Sequence, residues 1–224
     1  MGYLFSLKNI SLYYMLKQEK INILNNISLK IKKNERVSII GESGSGKTSL
    51  LMIMAGLQRA SDGLMIFENY NFTRISEEQI TEIRKSKIGM IFQDFYLIPN
   101  YSALENVMFP LEINKLINPK KKATEILEEL GLGKKINNLP SELSGGEQQR
   151  VAIARSISFN PEIILADEPT GNLDAKNSSI VIKILFDYSK KYQKSLVLVT
   201  HDENLAKKSD KIIKIKDGEI ENND

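Results

Sequence analysis

Cysteine is missing from all 224 residues, which excludes a disulfide framework and any thiolate metal site. No run of about 18 apolar residues occurs, so no segment is expected to cross a bilayer as a helix. The N-terminus has no basic stretch ahead of a long apolar core, so no secretory signal is expected. The chain is expected to stay in the cytoplasm, and at a membrane another polypeptide would supply the spanning part. A surplus of one charge sign is absent too. Thirty-one Lys and Arg against 28 Asp and Glu leave a net charge of +3, too balanced to imply nucleic acid as a partner. Histidine occurs once, as His201. What remains is 42% apolar and 26% charged, the composition of a globular chain with room for one large domain or a main lobe and a smaller one.

Hydrophobic patterning alternates between strand and helix periods. Leu4–Ser11 and Ile27–Ile31 alternate like half-buried strands. Val37–Ile40 is a short β-branched run, followed after Gly41 by a helical pattern over Leu50–Leu57. Leu64–Phe67 and Ile88–Phe92 read as strands. Between them Ser76, with Gln79 three residues on, predicts a capping box that opens a helix to about Lys87. The middle of the chain is helical. Tyr101–Leu116 is one segment, Asn118-Pro119 starts another that Gly131 stops, and a third runs from Ser144 to about Phe159. Alternation then resumes with strands at Ile163–Ala166 and Leu196–Thr200, a helix at Asp174–Tyr192 between them, and a hairpin at Lys211–Ile220 turning on Asp217-Gly218. This order predicts an α/β fold with a largely parallel sheet, N-terminal β structure and an inserted helical lobe.

Three stretches carry chemistry. Gly41-Glu42-Ser43-Gly44-Ser45-Gly46-Lys47-Thr48, with Ser49 following, fits G-x-x-x-x-G-K-[ST] between a strand and a helix. Its glycines let backbone N–H groups curl round a β-phosphate, Lys47 reaches β/γ oxygens, and the Thr48 hydroxyl suits Mg²⁺. Asp167-Glu168 closes the apolar strand at Ile163–Ala166. Ligands in parallel sheets bind at the carboxyl ends of strands, so Asp167 is expected to hold Mg²⁺ and Glu168 to polarise an attacking water. Leu143-Ser144-Gly145-Gly146-Glu147-Gln148-Gln149-Arg150 lies between them. Its Ser and two Gly fall at a helix start, where bare N–H groups are expected to face an anion. Ser144 and Glu147 also have the spacing of a capping box.

Together these stretches resemble the nucleotide-binding domain of an ABC transporter over nearly the whole chain. That resemblance implies a P-loop NTPase with a RecA-like, mostly parallel sheet core, an N-terminal antiparallel β subdomain and an α-helical subdomain. The catalytic core would cover 1–92 and 160–224, and the helical subdomain about 93–159. It implies a Mg²⁺-dependent ATPase. By position, Tyr14 or its neighbour Tyr13 would stack on adenine, Gln93 would be the Q-loop glutamine sensing Mg²⁺ and water, Asp174 the D-loop aspartate, and His201 a contact to the γ-phosphate. It further implies a head-to-tail dimer with a second copy. Each ATP would lie between Gly41–Ser49 of one subunit and Ser144, Gly145, Gly146 and Glu147 of the other. An integral-membrane permease would dock near Gln93 and the helical lobe around Phe95–Val107. Phe95, Tyr96 and Leu97 could serve that surface or the lobe's own core.

Finer motifs narrow the resemblance. Pro169-Thr170-Gly171-Asn172-Leu173-Asp174, Ile88-Gly89-Met90-Ile91-Phe92-Gln93 and Leu97-Ile98-Pro99 are similar to the lipoprotein-release and macrolide-exporter ATPases, with the cell-division ATPase close by. The cargo implied is a peptide, lipoprotein or hydrophobic compound. An ABC-type ATPase of translation needs two such domains. One of DNA maintenance needs a long coiled coil, and the 120 positions from Lys47 to Asp167 contain no sustained heptads. A GTPase would carry Asn-Lys-x-Asp, which is absent. A protein that binds ATP without turnover would have lost Glu168 or His201, and both are present.

Overall fold

The computed structural model describes residues 2–17 and 19–221. The chain divides into two compact units, Met1–Arg84 with Ser195–Asp224, and Lys85–Lys194.

In the first unit β1 (Tyr3–Leu16) and β2 (Glu19–Lys32) form a long antiparallel hairpin. β4 (Asp62–Phe67) pairs with the other side of β1, and β5 (Tyr70–Asn71) completes the order β2-β1-β4-β5. The Phe5 and Phe67 rings meet at 4.8 Å across this sheet. β1 and β2 outrun the segments read from the sequence because Tyr14–Leu16 and Glu19–Ile21 are largely exposed. With neither face buried, no hydrophobic alternation marks their pairing. β3 (Arg36–Ile40) lies between two parallel neighbours, β8 (Ser195–Val199) and β9 (Lys211–Lys216). β10 (Glu219–Ile220) returns antiparallel on β9. Asp217 and Gly218 turn that hairpin with φ of 48° and 78°, the paired positive values of a type I′ turn. β8 is buried at every position, as expected for a parallel strand with an unbroken apolar run. Its helices are α1 (Lys47–Met54), α2 (Glu77–Lys87) and the short α7 (Glu203–Ala206). The Ser76 box is present: Gln79 N–H donates to Ser76 Oγ at 3.3 Å, and Ser76 N–H to the Gln79 side chain at 3.0 Å.

In the second unit β6 (Ile88–Ile91) and β7 (Ile163–Asp167) pair in parallel, Ile88 with Ile163 through Ile91 with Ala166. Between them run α3 (Ala103–Ile113), α4 (Pro119–Glu129) and α5 (Gly145–Ile157), and α6 (Ala175–Tyr192) follows. The expected helical lobe of about 93–159 lies inside this unit. Its core joins Val107 and Leu111 of α3, Ala123 and Leu127 of α4, and Val151 and Ala154 of α5, each large side chain contributing about 1.5–3 kcal/mol by leaving water. Ser102 caps α3 with Glu105 in a capping box, and Gly131 ends α4 with φ 74°, the left-handed stop read from the sequence.

Asn106 holds the loop ahead of α3. It is fully buried and completely paired: Oδ1 accepts from Ile98 N–H at 2.8 Å, while Nδ2 donates to the carbonyls of Ile98, Tyr101 and Ser102. Asn106→Leu takes away the acceptor of the Ile98 N–H and the side-chain donor to the Tyr101 carbonyl, at a cost of about 2 kcal/mol. The melting temperature is expected to fall by roughly 5 °C or more. An unchanged value by differential scanning calorimetry would mean the loop does not depend on this amide.

Candidate functional site

Gly41–Ser49 connects β3 to α1 in the first unit. Gly41, Gly44 and Gly46 have φ of 152°, 80° and 99°. Gly41 also lies against the Ile215 carbonyl, where a Cβ would collide, so the residue type is set by conformation and space together. Gly46 is the N-cap of α1 and brings no side chain to its first amides, which leaves N–H groups available to an anion. Lys47 is buried and donates to the carbonyls of Gly41 at 2.9 Å and Glu42 at 2.6 Å. Its ammonium is therefore folded into the loop it serves. Thr48 is exposed in the first turn of α1.

His201 emerges beside this loop. β3 and β8 are adjacent and parallel, with Ile39 opposite Val199, and Thr200 N–H donates to the Ile39 carbonyl at 3.1 Å. Gly41 and His201 thus leave the carboxyl ends of neighbouring strands, where parallel sheets bind ligands. Asp202 next to it caps α7, accepting from the N–H groups of Asn204 and Leu205. Of the two tyrosines, Tyr14 is exposed and its hydroxyl is hydrogen-bonded to Gln58, whereas Tyr13 has the Lys20 ammonium 3.8 Å over its ring.

In the second unit β6 and β7 do the same for Gln93, Asp167 and Glu168. Asp167 is 8% exposed at the end of β7. Glu168 has φ 42°, an uncommon conformation for a side-chain-bearing residue that its surroundings must hold in place. The loop after it turns back, with Gly171 N–H donating to the Glu168 carbonyl at 3.0 Å. Asn172 then interlocks with the Gln93 segment. Its Oδ1 accepts from Gln93 Nε2 at 3.3 Å, and its Nδ2 donates to the Gln93 carbonyl and to Asp94. Gly171 faces the Gln93 side chain, where an added Cβ would lie 2.8 Å from Nε2. Nothing local in the sequence marks Asn172 for this role, since its partners lie 79 positions away.

The Ser144 region forms the capping box that its spacing predicts. Ser144 is the N-cap of α5: Glu147 N–H donates to Ser144 Oγ, and Glu147 Oε2 accepts from Ser144 N–H at 2.8 Å and from Ser144 Oγ at 2.9 Å. The capping box closes on itself because Glu147 reaches both Ser144 donors. Bonding to the Ser144 N–H holds the Glu147 carboxyl below the usual range. Gly146 packs against Asn177, where a Cβ would collide. Asn177 in turn donates to Asp174, the N-cap of α6, through both its backbone N–H at 2.9 Å and its side chain at 2.6 Å. These bonds hold the Asp174 carboxyl low, the backbone N–H of Asn177 most of all. Phe95 and Leu97 are half-buried, Leu97 against the helical core, while Tyr96 is 65% exposed. Of the three, Leu97 packs against the lobe's own core.

Chemically, the first unit offers a lysine and uncapped helix amides for phosphate. The second offers carboxylate and amide oxygens at strand ends. Thr48, Gln93 and Asp167 are oxygen donors of the hard type that Mg²⁺ takes.

An ABC transporter family model matches residues 24–171. The lipoprotein-releasing system ATP-binding protein LolD of Francisella tularensis subsp. tularensis is 44% identical over 96% of this chain and 95% of its own. The uncharacterized ABC transporter ATP-binding protein MJ0796 of Methanocaldococcus jannaschii is 43% identical over 97% and 95%. A dimeric structure of the MJ0796 cassette in a post-hydrolysis state, bound to ADP and Pi, superposes with a TM-score of 0.90 at 42% identity, covering 97% of each chain. The fold is that of an ABC ATPase cassette, and the chain belongs to the ABC transporter family as an ATP-binding subunit that hydrolyses ATP.

Proposed function

We propose that this chain drives a lipoprotein-releasing type of membrane complex, acting as a head-to-tail pair on the cytoplasmic side of the membrane. The observation that carries the reading is the 44% identity to the LolD protein, which runs along 96% of the chain. Each ATP lies between Gly41–Ser49 of one copy and Ser144–Glu147 of the other, with Tyr14 against adenine. Lys47 and the loop amides hold the β- and γ-phosphates, and His201 contacts the γ-phosphate. Thr48, Gln93 and Asp167 hold Mg²⁺, which neutralises phosphate charge when bound. Glu168 orients and polarises the attacking water. Asp174 lies at the pair's interface. The helical subdomain, about 93–159, presents Tyr96 and its neighbours to the permease, a peripheral contact. This fits a chain in which no helix among the described residues is long and apolar enough to cross a membrane. Crosslinking from positions 95–107 to a co-purified membrane protein tests this contact, and the lipoprotein bound to that complex identifies the cargo.

Glu168→Gln is expected to lower ATP turnover by about a hundredfold or more while ATP traps a dimer in size-exclusion chromatography. Turnover like that of the wild type would remove the role given to this carboxylate. Ser144→Arg is expected to leave ATP binding by the monomer intact and to abolish ATP-dependent dimerisation. Loss of binding itself would mean that Ser144 serves the ATP of its own subunit. In Gly171→Ala the nearest atoms to the new Cβ belong to the flexible Gln93 side chain, so the melting temperature should hold while turnover falls roughly tenfold through the displaced carboxamide. Unchanged turnover would show that Gln93 need not lie where Gly171 lets it.

A further inference from the structure

α5 grips the segment that carries Gln93. Ser156 Oγ donates to the Met90 carbonyl at 2.5 Å, Gln149 Nε2 to the Phe92 carbonyl at 3.3 Å, and the Arg155 guanidinium to the carbonyls of Phe95 at 3.0 Å and Tyr96 at 2.6 Å. Residues 149 and 156 are two helical turns apart and share a face. Gln149 has a second hold that the others lack: the same Nε2 donates to the Pro169 carbonyl at 2.8 Å. The last registered pair of the β6–β7 ladder is Ile91 with Ala166. This one amide therefore spans the gap beyond the ladder, between the residue before Gln93 and the residue after Glu168.

Gln149 is poorly suited to a purely stabilising role. It is fully buried, and its Oε1 has no hydrogen-bond partner among the described residues. The amide cannot turn over to relieve this, because an oxygen would then face two carbonyl oxygens. Asn106, by contrast, is buried with every bond made. An orphaned buried acceptor is destabilising, a cost that an apolar side chain of similar shape would avoid. What such a side chain could not do is hold two carbonyls. One of them directly follows Glu168, whose positive φ needs restraint from its neighbours.

We propose that Gln149 is a positioning residue for ATP hydrolysis: its buried amide ties the Phe92 and Pro169 carbonyls together and so fixes Gln93 against Glu168. The inference rests on the roles proposed above for those two residues. Gln149→Met keeps the shape and removes the donor. Turnover should fall by about tenfold to a hundredfold, while ATP affinity by calorimetry and KM stay within about twofold. Gln149→Met combined with Glu168→Gln should lose no more activity than Glu168→Gln alone, because the two act through one step. A lowered melting temperature with unchanged kcat would overturn the proposal and leave Gln149 a structural residue. Gln149→Asn withdraws the amide by one methylene and is read in the same way if the Met variant does not fold. Failure of both to fold would assign the amide to stability and also overturn the proposal. Full activity in Glu168→Gln would instead sink the underlying assignment, whatever Gln149 does.

Discussion

The face of α5 that meets residues 90–96 is the constraint on which the second unit depends. A parallel ladder aligns β6 and β7 only as far as Ile91 and Ala166, yet Gln93, Glu168 and Asn172 all lie beyond it. Side chains from α5 continue what the ladder begins. Those from Gln149, Arg155 and Ser156 each end on a backbone carbonyl. Carbonyls are geometric anchors that do not vary with the side chain attached, so Phe92, Phe95 and Tyr96 are located by their main chain. Burial of Arg155 lowers its pKa, yet a guanidinium stays charged, and its bonds to two carbonyls compensate for lost water.

The two helix starts are built for different tasks. Gly46 enters α1 in the left-handed region and supplies no cap, so α1 begins with amides open to an anion. Ser144 enters α5 in an extended conformation and closes a capping box. The first leaves its opening turn without a side-chain cap. The second is a stable helix end that still carries a hydroxyl at its tip. Gly146 cannot be enlarged because Asn177 fills the space a Cβ would need, and Asn177 is held by Asp174. Gly146 thus has a packing reason within one unit, apart from any ligand, whereas a Cβ at Gly145 would meet only ordinary contacts.

Local features were the legible ones. The loop at Gly41–Thr48, the capping boxes at Ser76 and Ser144, the Asn118-Pro119 start, the Gly131 stop and the Asp217-Gly218 turn depend on residues a few positions apart. All appear where the pattern put them. The distal halves of β1 and β2 were not legible because both faces are exposed. Gln149, Asn172 and Asn106 were not either. Each is an amide whose meaning lies in carbonyls or loops brought near by folding, and composition does not distinguish such a residue from a solvated one. The motif at Ser144 was read as anion site and as capping box, and the capping box is formed.

The closed box at Ser144 has a thermodynamic consequence. Its hydroxyl donates to the Glu147 carboxylate, so it can turn to a phosphate only by giving up that acceptor. What binding gains there is the difference between two charge-assisted hydrogen bonds, and not the whole of one. An exchange of that kind is nearly isoenergetic. An anion taking the Ser144 hydroxyl would therefore have to outcompete a carboxylate.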